Sequence, residues 1–319
     1  MHFKNIGRAL GAGALALTLA LPAAAQAATA PGVTTGGAAS IAQQTARLTG
    51  AVDPNGDATT YQFQYGTTSA YGSVTPEQTV GGDGRKTITA DISGLAPATR
   101  YHYRLIARNS KGLSKAGDRS FKTKVQPLGV TFAATPNPLP FGGTTTLGGQ
   151  LTGTGNGGRE VVLQSNPFPY TQGFKPVGNK LVTDASGSFS FGLMAVPFNT
   201  QYRVALPDKP SVVSPIVVVS VSVLVSTRLG TKTVHKGHKL TFQGSIRPAV
   251  DGTPIAIQKQ RNGKWVTVSG TVARHNSSAS STYSKHVTIP TGGRYRVYAG
   301  VANGSYVPNT GTEVTIHTK

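Results

Sequence analysis

The side chains able to do chemistry are few, and most are cationic. The 319 residues include 31 Lys and Arg, 11 Asp and Glu, 7 His and no Cys. A thiolate zinc site, a thiol nucleophile and a disulfide framework are therefore excluded. Glycoside hydrolysis needs two carboxylates facing one bond, but Asp53, Asp57, Asp83, Asp118 and Asp251 all lie beside or near glycine in turn contexts. No G-x-S-x-G nucleophile elbow occurs; Gly187-Ser188-Phe189-Ser190-Phe191 reads as a turn entering a strand. His235 and His238 form the one close histidine pair, and Lys236 and Lys239 beside them would repel a cation. Asp53-Pro54-Asn55-Gly56-Asp57 begins like a calcium loop, but Ala58-Thr59-Thr60 offers no distal carboxylate, so it is read as a turn. No catalytic residue, metal or cofactor is expected.

Charge is the chemistry that remains. Residues 223–319 hold 13 Lys and Arg against 2 Asp and Glu, a net charge of +11. The corresponding figures are +5 for residues 28–126 and +2 for residues 127–222. Such asymmetry draws anions through its long-range field. Lys259, Arg261 and Lys264 border Trp265, the single Trp. Arg294 and Arg296 flank Tyr295 and share one face if the segment is a strand. Lys232, Lys236 and Lys239 line an earlier turn. The candidate contact set for an anionic polymer is thus Lys236, Lys239, Lys259, Arg261, Lys264, Trp265, Arg294 and Arg296. Aromatic rings beside cations also suit stacking on a sugar or base. No nucleic-acid-binding motif is present, so the expected partner is an anionic cell-wall polymer or polysaccharide.

The elements that must position these residues read as strands. Only 13% of residues are charged, and 40 Gly and 20 Pro supply turns. Tyr61-Gln62-Phe63-Gln64-Tyr65 places three aromatics on one face, and Thr99 to Ala107 alternates strongly. Later segments repeat one order at an offset of 93 to 95 residues: Leu147 and Phe242, Gly149 and Gly244, Val161-Val162-Leu163-Gln164 and Ile255-Ala256-Ile257-Gln258, Tyr202-Arg203-Val204 and Tyr295-Arg296-Val297. Asn262-Gly263 marks a hairpin turn. The fold class predicted is all-β, with three tandem β-sandwich domains.

Leu95-Ala96-Pro97-Ala98-Thr99-Arg100-Tyr101-His102-Tyr103-Arg104, followed by Ala107-Arg108-Asn109 and Gly112, resembles the fibronectin type III family across residues 31–124. The resemblance implies a tyrosine corner at Tyr101. The family's strand B tryptophan is absent, and Leu48 takes its place. Residues 127–222 and the basic residues 223–319 resemble bacterial immunoglobulin-like repeats. Residues 1–27 run from Lys4 and Arg8 through an Ala/Leu/Gly stretch to Ala25-Gln26-Ala27, and predict a cleaved secretory signal peptide. No later segment is expected to cross a bilayer; Ile216 to Val225 is too short and reads as a buried strand or domain junction.

These readings predict a secreted, non-catalytic binding or structural protein of the cell envelope, held at the surface non-covalently and contacting anionic polymers chiefly through its basic last domain. Two alternatives stay open. One is a carbohydrate-binding accessory protein that uses exposed aromatics. The other is an enzyme with no recognisable motif.

Overall fold

The computed structural model describes residues 29–319, and among them every regular element is a strand. The signal-peptide reading at residues 1–27 lies outside the described residues. The described residues divide into two compact units, with the boundary between Lys124 and Val125.

In the first unit, Gly32–Thr35, Ala46–Asp53 and Lys86–Ile92 form one antiparallel sheet. The facing sheet is built on Thr59–Gly66 and Arg100–Asn109. Alternation sends Leu48, Val52, Phe63, Tyr103 and Leu105 into the core between them. Leu48 is fully buried where the family resemblance lacked its tryptophan. Tyr101 closes the corner implied for it: its hydroxyl accepts the Ala96 N–H at 2.9 Å, and its ring stacks on Phe121. The 53–57 segment is a turn. Asn55 and Gly56 have φ of 52° and 79°, and the Asp53 carboxylate accepts the Asn55 N–H at 3.1 Å.

The second unit holds two sandwiches with separate cores. In the earlier one, Gly129–Thr135, Thr144–Thr152 and Ser188–Met194 face a sheet centred on Glu160–Pro167 and Thr200–Leu206. In the later one, Leu224–Leu229, Lys239–Arg247, Ser280–Thr288 and Arg274–Ser277 face a sheet that includes Pro254–Arg261, Lys264–Val272, Gly293–Ala299 and Val314–Thr318. The equivalences read from the sequence pair residue for residue inside these cores. Leu147 and Phe242, Leu163 and Ile257, and Val204 and Val297 are all buried. Gly149 and Gly244 are required by close strand approach: a Cβ would lie 2.1 Å from the Thr131 carbonyl oxygen and 1.9 Å from that of Ser226, respectively.

The join between these two sandwiches is itself packed. Val219, Val221 and Val223 are fully buried. Leu139–Pro140 pairs in parallel with Val221–Ser222, and on the other side the Val307 N–H donates to the Val221 carbonyl at 2.9 Å. The buried Asn199 side chain accepts the Val221 N–H at 2.7 Å and donates to the Gly304 carbonyl at 2.9 Å. Tyr306 packs on both cores and meets Phe141 edge to face.

Candidate ligand-contact surface

The hairpin Pro254–Arg261 and Lys264–Val272 turns through Asn262 and Gly263, with φ of 49° and 77°, the paired positive values of a type I′ turn. Its register sets Arg261 opposite Lys264 and Gln260 opposite Trp265. Strand Gly293–Ala299 lies along the other edge of Pro254–Arg261, with Gln258 opposite Arg296. Tyr295, Val297 and Ala299 point into the core, so Arg294 and Arg296 share the outer face.

Trp265, Arg294 and Arg296 are thereby brought together. The Arg296 guanidinium lies 4.4 Å from the Trp265 ring centroid, and its Nε donates to Gln258 Oε1 at 2.8 Å. Arg294 donates to Gln260 Oε1 at 3.1 Å and pairs with Glu313. Arg261 and Lys264 are exposed at the hairpin tip. Lys236 and Lys239 are also exposed, but they belong to the turn leading into the opposite sheet.

Lys259 corrects the sequence reading. Expected at the surface, it is 6% exposed. It follows Ile255 and Ile257 on the inward face of its strand, and its ammonium donates to the Thr291 carbonyl at 2.7 Å and to Thr291 Oγ1. Burial, with a smaller contribution from the nearby Arg261 charge, lowers its pKa. Lys259 supports the end of the core and is unavailable to a polymer.

The Arg296 arrangement recurs in all three sandwiches. In the first unit Arg104 donates to Gln64 at 2.8 Å and lies 4.6 Å from the Tyr71 ring. In the middle sandwich Arg203 donates to Gln164 at 2.7 Å and lies 4.3 Å from the Phe174 ring. A Gln, an Arg and an aromatic thus brace the outer face of each hairpin sheet. The sequence reading equated Tyr202-Arg203-Val204 with Tyr295-Arg296-Val297 but missed the aromatic partners. What sets the last sandwich apart is its surplus of charge.

The carboxylates have partners of their own. Asp91 meets Arg47, Glu160 meets Lys180, Asp118 meets His102, and Asp208 meets Arg159. Asp251 accepts from Ser281 and contacts His275, and these bonds hold its carboxyl below the usual range. Asp57 is likewise lowered, chiefly by the Ser110 hydroxyl, and Asp184 by Ser186. The His235 and His238 rings are 5.4 Å apart, and among the described residues no group of three His, Asp or Glu is placed to hold a metal. Among the described residues no helix is long and apolar enough to cross a membrane.

No known family and no curated protein matches the chain. Solved structures that match include a tetra-tandem repeat in the extending region of a large adhesion protein, at 14% identity and a TM-score of 0.31, covering 92% of this chain and 75% of that one. The FN1-FN3 domains of chicken CNTN1 match at 16% identity and a TM-score of 0.29, covering 90% of this chain and all of that one.

Proposed function

We propose that this chain is an extracellular, non-catalytic adhesive or structural protein whose last sandwich contacts anionic envelope polymers. The observation that carries the reading is the unbalanced charge of residues 223–319. Their two carboxylates, Asp251 and Glu313, are already engaged by His275 and Arg294. Arg228, Lys236, Lys239, Arg261, Lys264 and Arg274 remain exposed. The packed β-sandwich fixes the backbone beneath these charges, so the ordering cost of contact falls on the long side chains themselves. A neutral-sugar site built on Trp265 is the weaker reading, because Arg296 occupies one face of the ring.

The test is retention of the chain on immobilised anionic and neutral polymers across a salt series. Retention on the anionic polymer should fall steeply between low and high ionic strength. The quadruple variant Lys236→Glu, Lys239→Glu, Arg261→Glu and Lys264→Glu should lose about tenfold or more in affinity, on the order of 1.4 kcal/mol. Salt-independent retention, or equal retention of the variant, would refute the proposal.

A further inference from the structure

The sheet opposite Trp265 carries a second feature. An open cavity of about 690 Å³ lies on the outer face of the sheet containing Leu224–Leu229, Lys239–Arg247, Ser280–Thr288 and Arg274–Ser277. Two rows of outward side chains line it. Ser226, Ser245, Thr282 and Arg274 stand opposite one another across four strands, and Arg228, Gln243 and Ser284 form the adjacent row. The rows exist because Val225, Leu229, Phe242, Ile246 and Tyr283 take the alternate, inward positions. Thr271 and Val272, continuing from the opposite sheet, form a wall, and Val272 is 45% exposed.

The chemistry of this trough is uniform. Its lining holds two guanidiniums, the hydroxyls of three Ser and two Thr, and one carboxamide among its polar groups, and no carboxylate. Arg228 and Arg274 stand on the two outer strands, three strand spacings or about 14 Å apart along the hydrogen-bonding direction. Among the described residues neither makes an ion pair or a side-chain hydrogen bond, and Gln243, Thr282 and Ser284 also have no side-chain partner. Ser226 and Ser245 are locked to each other at 2.9 Å, and the Tyr283 hydroxyl beneath donates to the Ser226 carbonyl at 2.7 Å.

The middle sandwich supplies an internal comparison. With Gly149 equivalent to Gly244, the same two rows there read Thr131, Gln150, Ser188 and Ala133, Gly148, Ser190. Hydroxyls recur, but Ala133 and Gly148 stand where the last sandwich has Arg228 and Gln243. The fold therefore does not need the arginine or the carboxamide at these positions.

We propose that this trough binds a carboxylated glycan, with the carboxylates of uronate units held by Arg228 and Arg274. A guanidinium offers a carboxylate two parallel N–H donors. The free Gln243, Thr282 and Ser284 groups suit ring hydroxyls, and Val272 offers an apolar surface to a pyranose face. The assignment rests on the anionic-polymer reading and gives it a ligand class.

The experiment is titration of the full chain with polygalacturonate at fixed moderate salt. Carboxyl-reduced polymer and a polyol phosphate polymer serve as separate arms. The double variant Arg228→Ala and Arg274→Ala should weaken polygalacturonate binding by about tenfold or more. The Arg228→Lys and Arg274→Lys pair keeps the charge and should lose less, and thermal unfolding of both should match the parent. Equal binding of the reduced polymer, or preference for the polyol phosphate, overturns the uronate assignment. If the alanine pair binds as the parent does while the quadruple variant at Lys236, Lys239, Arg261 and Lys264 loses affinity, the trough fails and the charge-contact reading stands. If the parent binds none of the anionic polymers, both fail.

Discussion

The phenol of Tyr283 lies beneath the outer face of the last sandwich, donating to the Ser226 carbonyl and meeting Thr227 Oγ1. Burial pushes its pKa up to about 12 from 10.0, partly offset by the Thr227 contact. A folded value above the unfolded one means the neutral phenol is favoured by the fold. That stabilisation is complete below pH 10 and is lost as the pH rises through 12. Tyr283→Phe should therefore cost about 1 kcal/mol at neutral pH through the lost hydrogen bond. It should also lose stability less steeply with alkali than the parent; denaturant unfolding at neutral and alkaline pH reads both, and identical slopes would sink the idea. Lys259 shows where residue-level reading stopped. The Ile255, Ile257 alternation assigns it inward, whereas the sequence reading counts it, beside Arg261, Lys264 and Trp265, in the polymer-contact set. A long aliphatic stem lets an ammonium sit at the end of a core and still reach the Thr291 carbonyl.

Adjacent glycines in one strand give a sharp contrast at the scale of the element. Gly149 faces the Thr131 carbonyl and the Phe189 ring, and a Cβ would lie 2.6 Å from that ring. Gly148 faces outward with nothing within 4 Å. Gly149→Ala should destabilise by about 1–3 kcal/mol through overpacking, while Gly148→Ala should stay within about 0.5 kcal/mol of the parent. Thermal melts of the two variants decide the matter, and equal effects would contradict the packing described. The Asn262-Gly263 turn was legible as a local demand on two consecutive residues, the glycine equivalence through the fixed offset of the repeat, and the Tyr101 corner only through the resemblance to the fibronectin type III family. The Gln–Arg–aromatic brace was legible only in part. Its Gln and Arg lie in repeated strands, but Tyr71 and Phe174 come from loops whose path depends on register and length. The Arg228–Arg274 trough was missed because its residues are dispersed over four strands and meet only after pairing.

For the molecule as a whole, composition announced the all-β architecture and the concentration of charge toward residues 223–319. The packed seam of the second unit was only hinted at, by the reading of Ile216 to Val225 as a buried strand or junction. Asn199 is central to that seam, since its two side-chain bonds serve Val221 and Gly304. Asn199→Ala leaves buried partners unpaired, at about 1–3 kcal/mol. Residues 125–319 should melt as one calorimetric transition in the parent and as two in this variant; two transitions in the parent would show that the seam does not couple the cores.

Val221 and its neighbours spend their backbone bonds on Leu139–Pro140 on one side and Val307 on the other. This has a consequence for recombination. A crossover placed between the two sandwiches of the second unit would strand half of a shared ladder on each product, so the inheritable cassette is the pair, cut on its outer sides, rather than the single sandwich that the repeated sequence pattern suggests.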